Sequence, residues 1–283
     1  MIRLLAIGLC VMDNYVDFNT MYPGGNELNV AVYAKRLGSE SGFIGTFGTD
    51  NAASLIRSVL DSEGIDYRRC RTVDGETGAG YVRLINNDRV FVGHNNGGVT
   101  GTHPLSLEPK DIDYIQHFDL ITSSLYSRIP LEQMLRICDC GLPVAYDFSE
   151  NWNEENLISL APHITYGFFS CANKEEKDIK ELLLRAHQLG CKWCIGTRGE
   201  DGSILFDGIN WLYQDATKAN VCDTMGAGDS FIAAFVLSHQ SACLAGKDEI
   251  TALKTALQAG ADFAAKICER KGAIGYEFSS ESK

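Results

Sequence analysis

The stretch DTMGAGDSF (residues 223–231) runs directly into the apolar segment IAAFVL (residues 232–237). Small residues at 226–228 predict a helix start, where free backbone N–H groups and the positive end of the helix dipole can hold an anion. Asp229 falls in the first turn of that helix. A backbone anion site beside a carboxylate can stabilise a transferring phosphoryl group while the acid accepts a hydroxyl proton, so the stretch predicts phosphoryl transfer to an alcohol. Glycines and acids at a helix start also form ordinary caps, and the choice therefore depends on the rest of the chain.

Composition limits the partners of this protein. The 283 residues carry a formal net charge of −12, which argues against nucleic acid or an anionic membrane as a partner and requires local backbone donors for any phosphate ligand. The length allows one large α/β domain or two modest ones, and we predict a single domain over residues 1–283. No stretch reaches transmembrane length without charges. The ten cysteines are scattered and form no zinc set, so we predict buried, free thiols in a reducing cytoplasm.

Short apolar runs alternate with helical patterns along the chain, which indicates parallel strands joined by crossover helices in an α/β fold. The predicted strands span residues 2–9, 42–47, 118–124, 142–147, 166–170 and 192–197. The predicted helices lie near residues 26–37, 51–63, 130–140, 174–189, 227–240 and 248–269. Asn51 and the stretch 106–108 are typical of helix starts, and Gly38, Gly64 and Gly190 are typical of helix ends.

Two polar segments interrupt this alternation, residues 11–23 and 75–100. Within the second, residues 80–84 and 89–92 alternate between polar and apolar types on either side of the turn 86–88, which predicts a β-hairpin. We expect both segments to form a small sheet that stands off the main body and covers a cleft as a lid.

The motif GGNELNVA (residues 24–31) has residue types suited to a sugar. Gly24 and Gly25 let the backbone approach a ligand, and Asn29 offers a donor and an acceptor to a hydroxyl group. A loop-to-helix turn capped by asparagine explains the same residues, so this motif alone leaves both interpretations open.

Two further motifs suit a nucleotide. TRGEDG (residues 197–202) follows an apolar strand, and the carboxyl end of a strand is where open parallel sheets bind ligands. Its N–H groups can contact phosphates and Arg198 can add charge, although a tight hairpin into residues 203–206 is compatible with the same sequence. In NKEE (residues 173–176), Glu176 can act through water on Mg²⁺, because Mg²⁺ keeps several of its waters, although a solvated helix face explains Glu175 and Glu176 as well.

Taken in order, these motifs resemble those of the ribokinase-like (PfkB) carbohydrate kinases over essentially the whole chain. The resemblance implies a ribokinase-like three-layer α/β/α sandwich with a mostly parallel central sheet and a small β-sheet lid. It also implies an ATP-dependent sugar kinase that uses Mg²⁺. Glu27 departs from the family pattern, which generally has a smaller residue at that place.

The resemblance assigns roles to the matching residues. Asp229 is the catalytic acceptor of the hydroxyl proton, and the amides of Gly226, Ala227 and Gly228 neutralise charge on the γ-phosphate. The implied sugar-binding residues are Asp13, Gly24, Gly25, Asn29 and Arg89. The implied nucleotide-binding residues are Asn173, Thr197, Arg198, Gly199 and Gly202.

Two metal roles follow from the same likeness. Glu176 holds Mg²⁺ through water, and Asp223 with the segment 272–273 holds a monovalent cation, potassium. Capping of its own turn is the competing interpretation of Asp223, and an exposed turn position is the competing interpretation of Asp13.

The substrate prediction also rests on similarity. Residues 24–38, 87–91 and 146–149 look most similar to the fructoselysine 6-kinases of this family, which implies transfer of the γ-phosphate to the 6-hydroxyl of fructoselysine or a related Amadori compound. Glu27 or Asp147 could supply negative charge for the cationic part of such a substrate. Fructokinase or ribokinase activity is the alternative, and a non-catalytic sugar or nucleotide sensor is a more remote one. Lid residues often pair subunits in the family, so we expect a homodimer.

Overall fold

The computed structural model describes residues 1–280. The strands of this part of the chain are β1 (Arg3–Ile7), β2 (Val11–Tyr15), β3 (Thr20–Gly24), β4 (Glu40–Ile44), β5 (Thr46–Phe47), β6 (Arg71–Thr72), β7 (Gly78–Ile85), β8 (Asp88–His94), β9 (Leu120–Ser124), β10 (Val144–Ser149), β11 (Tyr166–Ser170), β12 (Trp193–Thr197), β13 (Ser203–Phe206), β14 (Trp211–Gln214) and β15 (Phe278–Ser279). Its α-helices are α1 (Asn26–Arg36), α2 (Asn51–Glu63), α3 (Gly98–Thr102), α4 (Pro109–Ile115), α5 (Leu131–Cys138), α6 (Glu154–Leu160), α7 (Glu176–Gln188), α8 (Ala227–Leu244) and α9 (Glu249–Cys268).

An eight-stranded sheet forms the centre of the molecule, in the order β14-β13-β12-β11-β10-β9-β1-β4. The six strands from β12 to β4 are parallel, and β13 and β14 are antiparallel additions at one edge. Successive side chains of a strand point to opposite faces, so Leu4 belongs to one hydrophobic core and Leu5 to the other. Helices α1, α2, α8 and α9 cover the first face and α4 to α7 cover the second. This arrangement confirms the predicted three-layer α/β/α sandwich.

A second sheet joins the two polar segments of the sequence, in the order β15-β3-β2-β7-β8. The turn between β7 and β8 consists of Asn86 and Asn87, whose φ angles of 53° and 65° are those that a two-residue hairpin requires. Asp88, which the sequence placed in the turn, begins β8 instead. We call these five strands the lid sheet.

The predicted strands and helices are all present, with ends that shift by a few residues. The predicted strand 42–47 is the main exception, because it divides at Gly45 into β4 of the central sheet and β5, which pairs with β6. A Cβ at position 45 would lie 2.8 Å from the carbonyl oxygen of Gly8, so the chain needs glycine where it changes sheets. The short helices α3 and α6 were missed, since they span less than two full periods of an amphipathic pattern.

The ten cysteines are free thiols, as predicted. The predicted burial is correct for only five of them, since four others are partly buried and Cys243 is exposed. None of the helices within residues 1–280 has the length and apolar character to cross a membrane.

Candidate active site

Helix α8 begins with a glycine in a left-handed conformation. Gly226, at φ 78°, is the N-cap and provides no side-chain hydrogen bond to the helix. The N–H of Ala227 donates to the carbonyl oxygen of Thr224 at 3.2 Å, whereas the N–H groups of Gly226 and Gly228 find no acceptor within residues 1–280. A Cβ at position 228 would contact nothing within 4 Å. The amides of Gly226 and Gly228 are therefore available to an anion, while the amide predicted at Ala227 is used by the turn itself.

Asp229 lies in the first turn of α8 and is held by two asparagines of α1. Its Oδ2 accepts from Asn29 Nδ2 at 2.7 Å, and its Oδ1 accepts from Asn26 Nδ2 at 3.2 Å. Burial raises the pKa of Asp229 to about 6, against the opposing effects of the Asn29 hydrogen bond and the positive charge of Arg89. A carboxylate with this pKa is suited to accept a proton near neutral pH.

The amide of Asn29 is oriented by its contact with Asp229. Its NH₂ group faces that acid, and its buried Oδ1 has no hydrogen-bond partner within residues 1–280. An unpartnered buried acceptor is costly unless a ligand donates to it. The atom of Asn29 that stays free for a further hydrogen bond is therefore an acceptor, whereas the sequence suggested both a donor and an acceptor.

Asn26 contacts both Asp229 and Asp147, an acid whose position the sequence did not predict. Its Nδ2 lies 3.3 Å from Oδ2 of Asp147, at the end of β10. Oδ1 of Asp147 accepts from the backbone N–H of Ser149 at 2.8 Å, and burial raises the pKa of Asp147 to about 7. Sequence reasoning missed Asn26, although a polar residue directly after the two glycines of a helix start was a usable signal.

Asp13 projects from β2 between two glycines of the lid sheet. A Cβ at Gly24 would lie 2.0 Å from Asp13 Oδ2, and a Cβ at Gly80 would lie 3.0 Å from Oδ1. The residue is buried, and burial raises its pKa to about 7 while the charge of Arg89 opposes the rise. The interpretation of Asp13 as an exposed turn aspartate is therefore wrong. Gly24 acts by making room for this carboxyl group.

Gly25 has a different task from Gly24, because it starts α1. Its φ of 106° is accessible to glycine, and a Cβ there would lie 2.7 Å from the carbonyl oxygen of Leu9. Two residues later, Glu27 is buried, with Oε2 accepting from the N–H of Leu9 at 2.7 Å and Oε1 unpartnered within residues 1–280. Burial raises the pKa of Glu27 to about 8. Glu27 thus packs against the chain at Leu9, which follows β1. Asp147, in contrast, shares the donor Asn26 with Asp229.

The tip of the lid sheet touches the loop in front of α8. Arg89 donates from its backbone N–H to Thr224 Oγ1 at 3.2 Å and from Nη1 to the Thr224 carbonyl oxygen at 3.3 Å. The hydroxyl of Thr224 donates to Asp88 Oδ1 at 2.5 Å, and Asn87 Nδ2 donates to the carbonyl oxygen of Val221 at 3.0 Å. The tip of the hairpin therefore contacts the loop before α8, and Arg89 lies against Thr224.

Asp223 is buried completely and accepts hydrogen bonds from three donors of the protein. Tyr15 Oη and the N–H of Gly272 donate to its Oδ2 at 2.5 and 2.8 Å, and the N–H of Met225 donates to its Oδ1 at 2.9 Å. The neighbouring carbonyl oxygen of Ala273 accepts from the hydroxyl of Tyr33 at 2.6 Å. The bond from Met225 confirms that Asp223 caps its own turn.

The two nucleotide motifs lie side by side at the carboxyl edge of the central sheet. Ser170, at the end of β11 before the Asn173 turn, pairs with Thr197, at the end of β12. Within the second loop, the chain turns at Gly199 (φ 62°) and Gly202 (φ 82°). The loop also leads as a hairpin into β13, so the two interpretations of TRGEDG are compatible.

Arg198 and Asn173 lie at this edge, and within residues 1–280 neither makes a hydrogen bond or ion pair to Asp13, Asp147 or Asp229. Arg198 Nη2 donates to the carbonyl oxygen of Asp201 at 2.5 Å, which steadies the turn, while its buried Nε has no partner within residues 1–280. Asn173 occupies a left-handed position with φ 66°. The ends of β10 and β12 are two strands apart in the central sheet, about 10 Å. Asp147 and Thr197 therefore lie near each other along the same edge of the sheet.

Glu176 is the first residue of α7 and is largely solvated. Its Oε1 accepts from Tyr213 Oη at 2.9 Å and pairs with Lys180 at 2.7 Å, and these contacts lower the pKa of Glu176. Within residues 1–280 no group of three His, Cys, Asp or Glu side chains is arranged to hold a metal ion. A metal at Glu176 would accordingly need waters or ligand oxygens, as Mg²⁺ accepts.

Comparison with known proteins identifies the class to which this fold and site belong. The family model described as "pfkB family carbohydrate kinase" matches residues 10–278. The chain belongs to this family and is a carbohydrate kinase.

Two relatives narrow the comparison. The chain is 42% identical over 280 residues to fructosamine kinase FrlD of Bacillus subtilis (strain 168), covering 98% of this chain and 94% of the relative. It is 33% identical over 270 residues to fructoselysine 6-kinase of Escherichia coli (strain K12), covering 95% and 98% of the two chains. These identities confirm that the chain is similar to the fructoselysine kinases, as the sequence motifs indicated.

Solved structures confirm the fold. Ribokinase of Arabidopsis thaliana complexed with ribose and ATP superposes with a TM-score of 0.76 at 22% identity, covering 97% of this chain and 95% of the other. Aminoimidazole riboside kinase of Salmonella enterica, complexed with aminoimidazole riboside and an ATP analogue, gives 0.73 at 22% identity, covering 96% and 95%.

Proposed function

We propose that the protein is an ATP-dependent kinase that phosphorylates the 6-hydroxyl of fructoselysine or a related ketosamine. The observation that carries the proposal is the start of α8, where unpaired amides of Gly226 and Gly228 stand beside a buried carboxyl group with a raised pKa. The names of the two relatives, fructosamine kinase and fructoselysine 6-kinase, support the choice of substrate.

The carboxylate of Asp229 accepts the proton of the substrate hydroxyl in this proposal. In transfer, the substrate hydroxyl oxygen bonds to the γ-phosphorus, the bond from that phosphorus to the bridging oxygen of ADP breaks, and the hydroxyl proton passes to Asp229. Asn26 and Asn29 fix the orientation of the acid through both carboxylate oxygens. The amides of Gly226 and Gly228 stabilise charge that develops on the phosphoryl oxygens, where one such donor contributes roughly 3–4 kcal/mol.

We place the nucleotide and its metal at the loops that follow β11 and β12, beside the residues at the start of α8. We assign ATP to the loops that contain Asn173, Thr197, Arg198, Gly199 and Gly202. Glu176 suits the waters of Mg²⁺, because its exposed carboxylate is kept ionised by Lys180 and Tyr213. When bound, Mg²⁺ supplies positive charge to the phosphates.

Potassium dependence stays a prediction, and the contacts of Asp223 favour the turn-capping role. Its carboxylate already accepts from Tyr15, Met225 and Gly272, so we derive no step through a monovalent cation. Equal turnover in potassium and tetramethylammonium salts would remove the cation from the mechanism.

The chemistry of the cleft suits a substrate that is rich in donors and positively charged. Asp13 and Asp147 present carboxyl groups, and Asn29 presents a carbonyl oxygen with no partner among residues 1–280. A ketosamine supplies hydroxyl donors and a protonated secondary amine, whereas fructose and ribose supply hydroxyls alone. We assign the amine to Asp147, since Glu27 packs beneath the start of α1.

The lid sheet suits a homodimer as well. Ile85 and Val92, both about half exposed, lie on it, and a second copy of the chain would cover them. Light scattering on the purified protein tests this directly, and a monomer at all concentrations would exclude the dimer.

We place the enzyme in the cytoplasm, where its free thiols stay reduced.

Release of ADP across a panel of fructoselysine, fructose and ribose tests the function. We expect the largest kcat/KM with fructoselysine and a product phosphorylated at the 6-position, identified by NMR. Preference for fructose or ribose would replace the substrate assignment with fructokinase or ribokinase activity. Sugar or nucleotide binding without ADP release would indicate a sensor.

A further inference from the structure

We propose that Arg89 is a catalytic cation: the β7–β8 hairpin delivers its guanidinium to the phosphoryl group in transfer, beyond the sugar-binding role that the sequence suggested. The proposal rests on the proposed kinase reaction, which supplies that phosphoryl group. Three observations carry it: the face of the lid sheet on which Arg89 lies, its contact with the turn before α8, and the charges around it.

Arg89 lies on the same face of the lid sheet as Asp13. A Cβ at Gly80 would contact both Asp13 Oδ1, at 3.0 Å, and the ring of Phe91, at 3.1 Å, which places these three positions on one face. The guanidinium carbon of Arg89 lies 6.0 Å from the centre of the Phe91 ring. Residues two apart on a strand share a face, so Arg89 and Phe91 both lie on the face of the lid sheet from which Asp13 projects.

Contact with Thr224 brings the guanidinium to the start of α8. Arg89 Nη1 donates to the carbonyl oxygen of Thr224 at 3.3 Å, the same atom that accepts from the N–H of Ala227 at 3.2 Å. One donor of the guanidinium is thus engaged just before the helix. A guanidinium has five N–H donors in a planar fork, which leaves the others for an anion bound at Gly226 and Gly228.

The charges of the cleft explain why a cation is needed there. Asp13, Asp147 and Asp229 are acids whose pKa values burial raises, and the positive charge of Arg89 acts to lower each of them. A phosphoryl group that moves into this region meets negative charge on several sides. A guanidinium that also hydrogen-bonds to phosphate oxygens offsets that repulsion more effectively than a point charge.

The experiment compares Arg89→Ala with Arg83→Ala in steady-state kinetics. Arg83 is a matched control, because it lies on the paired strand β7 and its exposed guanidinium meets Asp17 at 3.4 Å. We expect Arg89→Ala to lower kcat by about 10³-fold, the lower end of what an arginine contributes to phosphoryl transfer, with the KM for the sugar changed little. Arg83→Ala should keep wild-type kcat.

Two further readouts separate catalysis from folding. Added guanidinium ion should restore part of the turnover of Arg89→Ala, and Arg89→Lys should keep a larger share of kcat than the alanine variant. A raised KM with normal kcat would return Arg89 to sugar binding and overturn the proposal, as would an Arg89→Ala enzyme as active as the Arg83 control. Wild-type protein inactive on every sugar would instead overturn the proposed function, and this proposal with it.

Discussion

Asp13, Asp147 and Asp229, near the starts of α1 and α8, carry the same functional group as Glu176 of α7, but in the opposite environment. Asp13, Asp147 and Asp229 are surrounded by the lid sheet and the starts of α1 and α8, and burial raises their pKa values to between about 6 and 7. Glu176 is 49% exposed and paired with Lys180, which lowers its pKa. The first environment favours carboxyl groups that take up protons and bind donors. The second keeps a carboxylate ionised, as the waters of a metal ion require.

Asp229→Asn is expected to give the largest effect, because it removes the proton acceptor while keeping the shape of the side chain. We predict a fall in kcat of about 10³-fold or more, because a general base typically contributes about 10²- to 10⁴-fold to the rate. Binding of ATP, measured by calorimetry, should survive. Turnover close to wild type would exclude Asp229 as the base.

The pH profile sharpens the same point. Asp229 is faced by Asn26 and Asn29 of α1, by Asp147 and by Arg89, and its pKa of about 6 predicts that kcat/KM falls as the pH drops below 6. Asn29 stabilises the charged form, so Asn29→Ala should move this acid limb to higher pH. An unchanged limb in that variant would assign the titration to another group.

Asp13→Asn should act on the sugar, because the proposed reaction assigns Asp13 to sugar binding and its carboxyl group has room between Gly24 and Gly80. Hydrogen bonds to a charged group contribute about 1.5–3 kcal/mol, so we expect KM to rise by roughly 10- to 100-fold with a smaller change in kcat. Asp17→Asn, on the exposed side of the lid, is the control. A normal KM would leave Asp13 without a binding role.

Glu176→Gln should change the magnesium requirement by about tenfold, as removal of an indirect metal partner does. Turnover at saturating Mg²⁺ should stay near wild type, since Glu176 contacts Lys180 and Tyr213 and lies outside the cleft of acids. A magnesium titration of the rate measures the shift. An unchanged titration would move the metal to other residues.

The smallest effect concerns stability. Asp13 titrates near 3.8 in the unfolded chain and near 7 in the folded one, so its protonated form adds stability below pH 3.8 that is lost as the pH rises toward 7. Asp13→Asn removes this loss, and its melting temperature should exceed that of wild type at pH 8 by about 2–4 °C for each kcal/mol recovered. The difference should shrink toward pH 5. Glu176→Gln should show no such gain.

Local sequence signals accounted for the central sheet, the long helices and the glycine turn at the start of α8. The tasks of Gly226 and Gly25 could be predicted, because glycine at a helix start without a side-chain cap indicates a close approach of the backbone to another group. The task of Gly24 could not, since the carboxyl group that needs the space belongs to Asp13 on another strand. Asn26 was missed for the same reason: its two partners are more than a hundred residues away.

The sequence by itself determined the family, the alternation of strands and helices and the identity of the acid beside the glycines, because these depend on residue order and on contacts within one turn. The tertiary structure decided which acids share a donor, which amides of 226–228 stay unpaired and where Arg89 is held. Those properties depend on burial and on atoms that the fold brings together from distant parts of the chain. They set the pKa values and the hydrogen bonds of the residues around the start of α8.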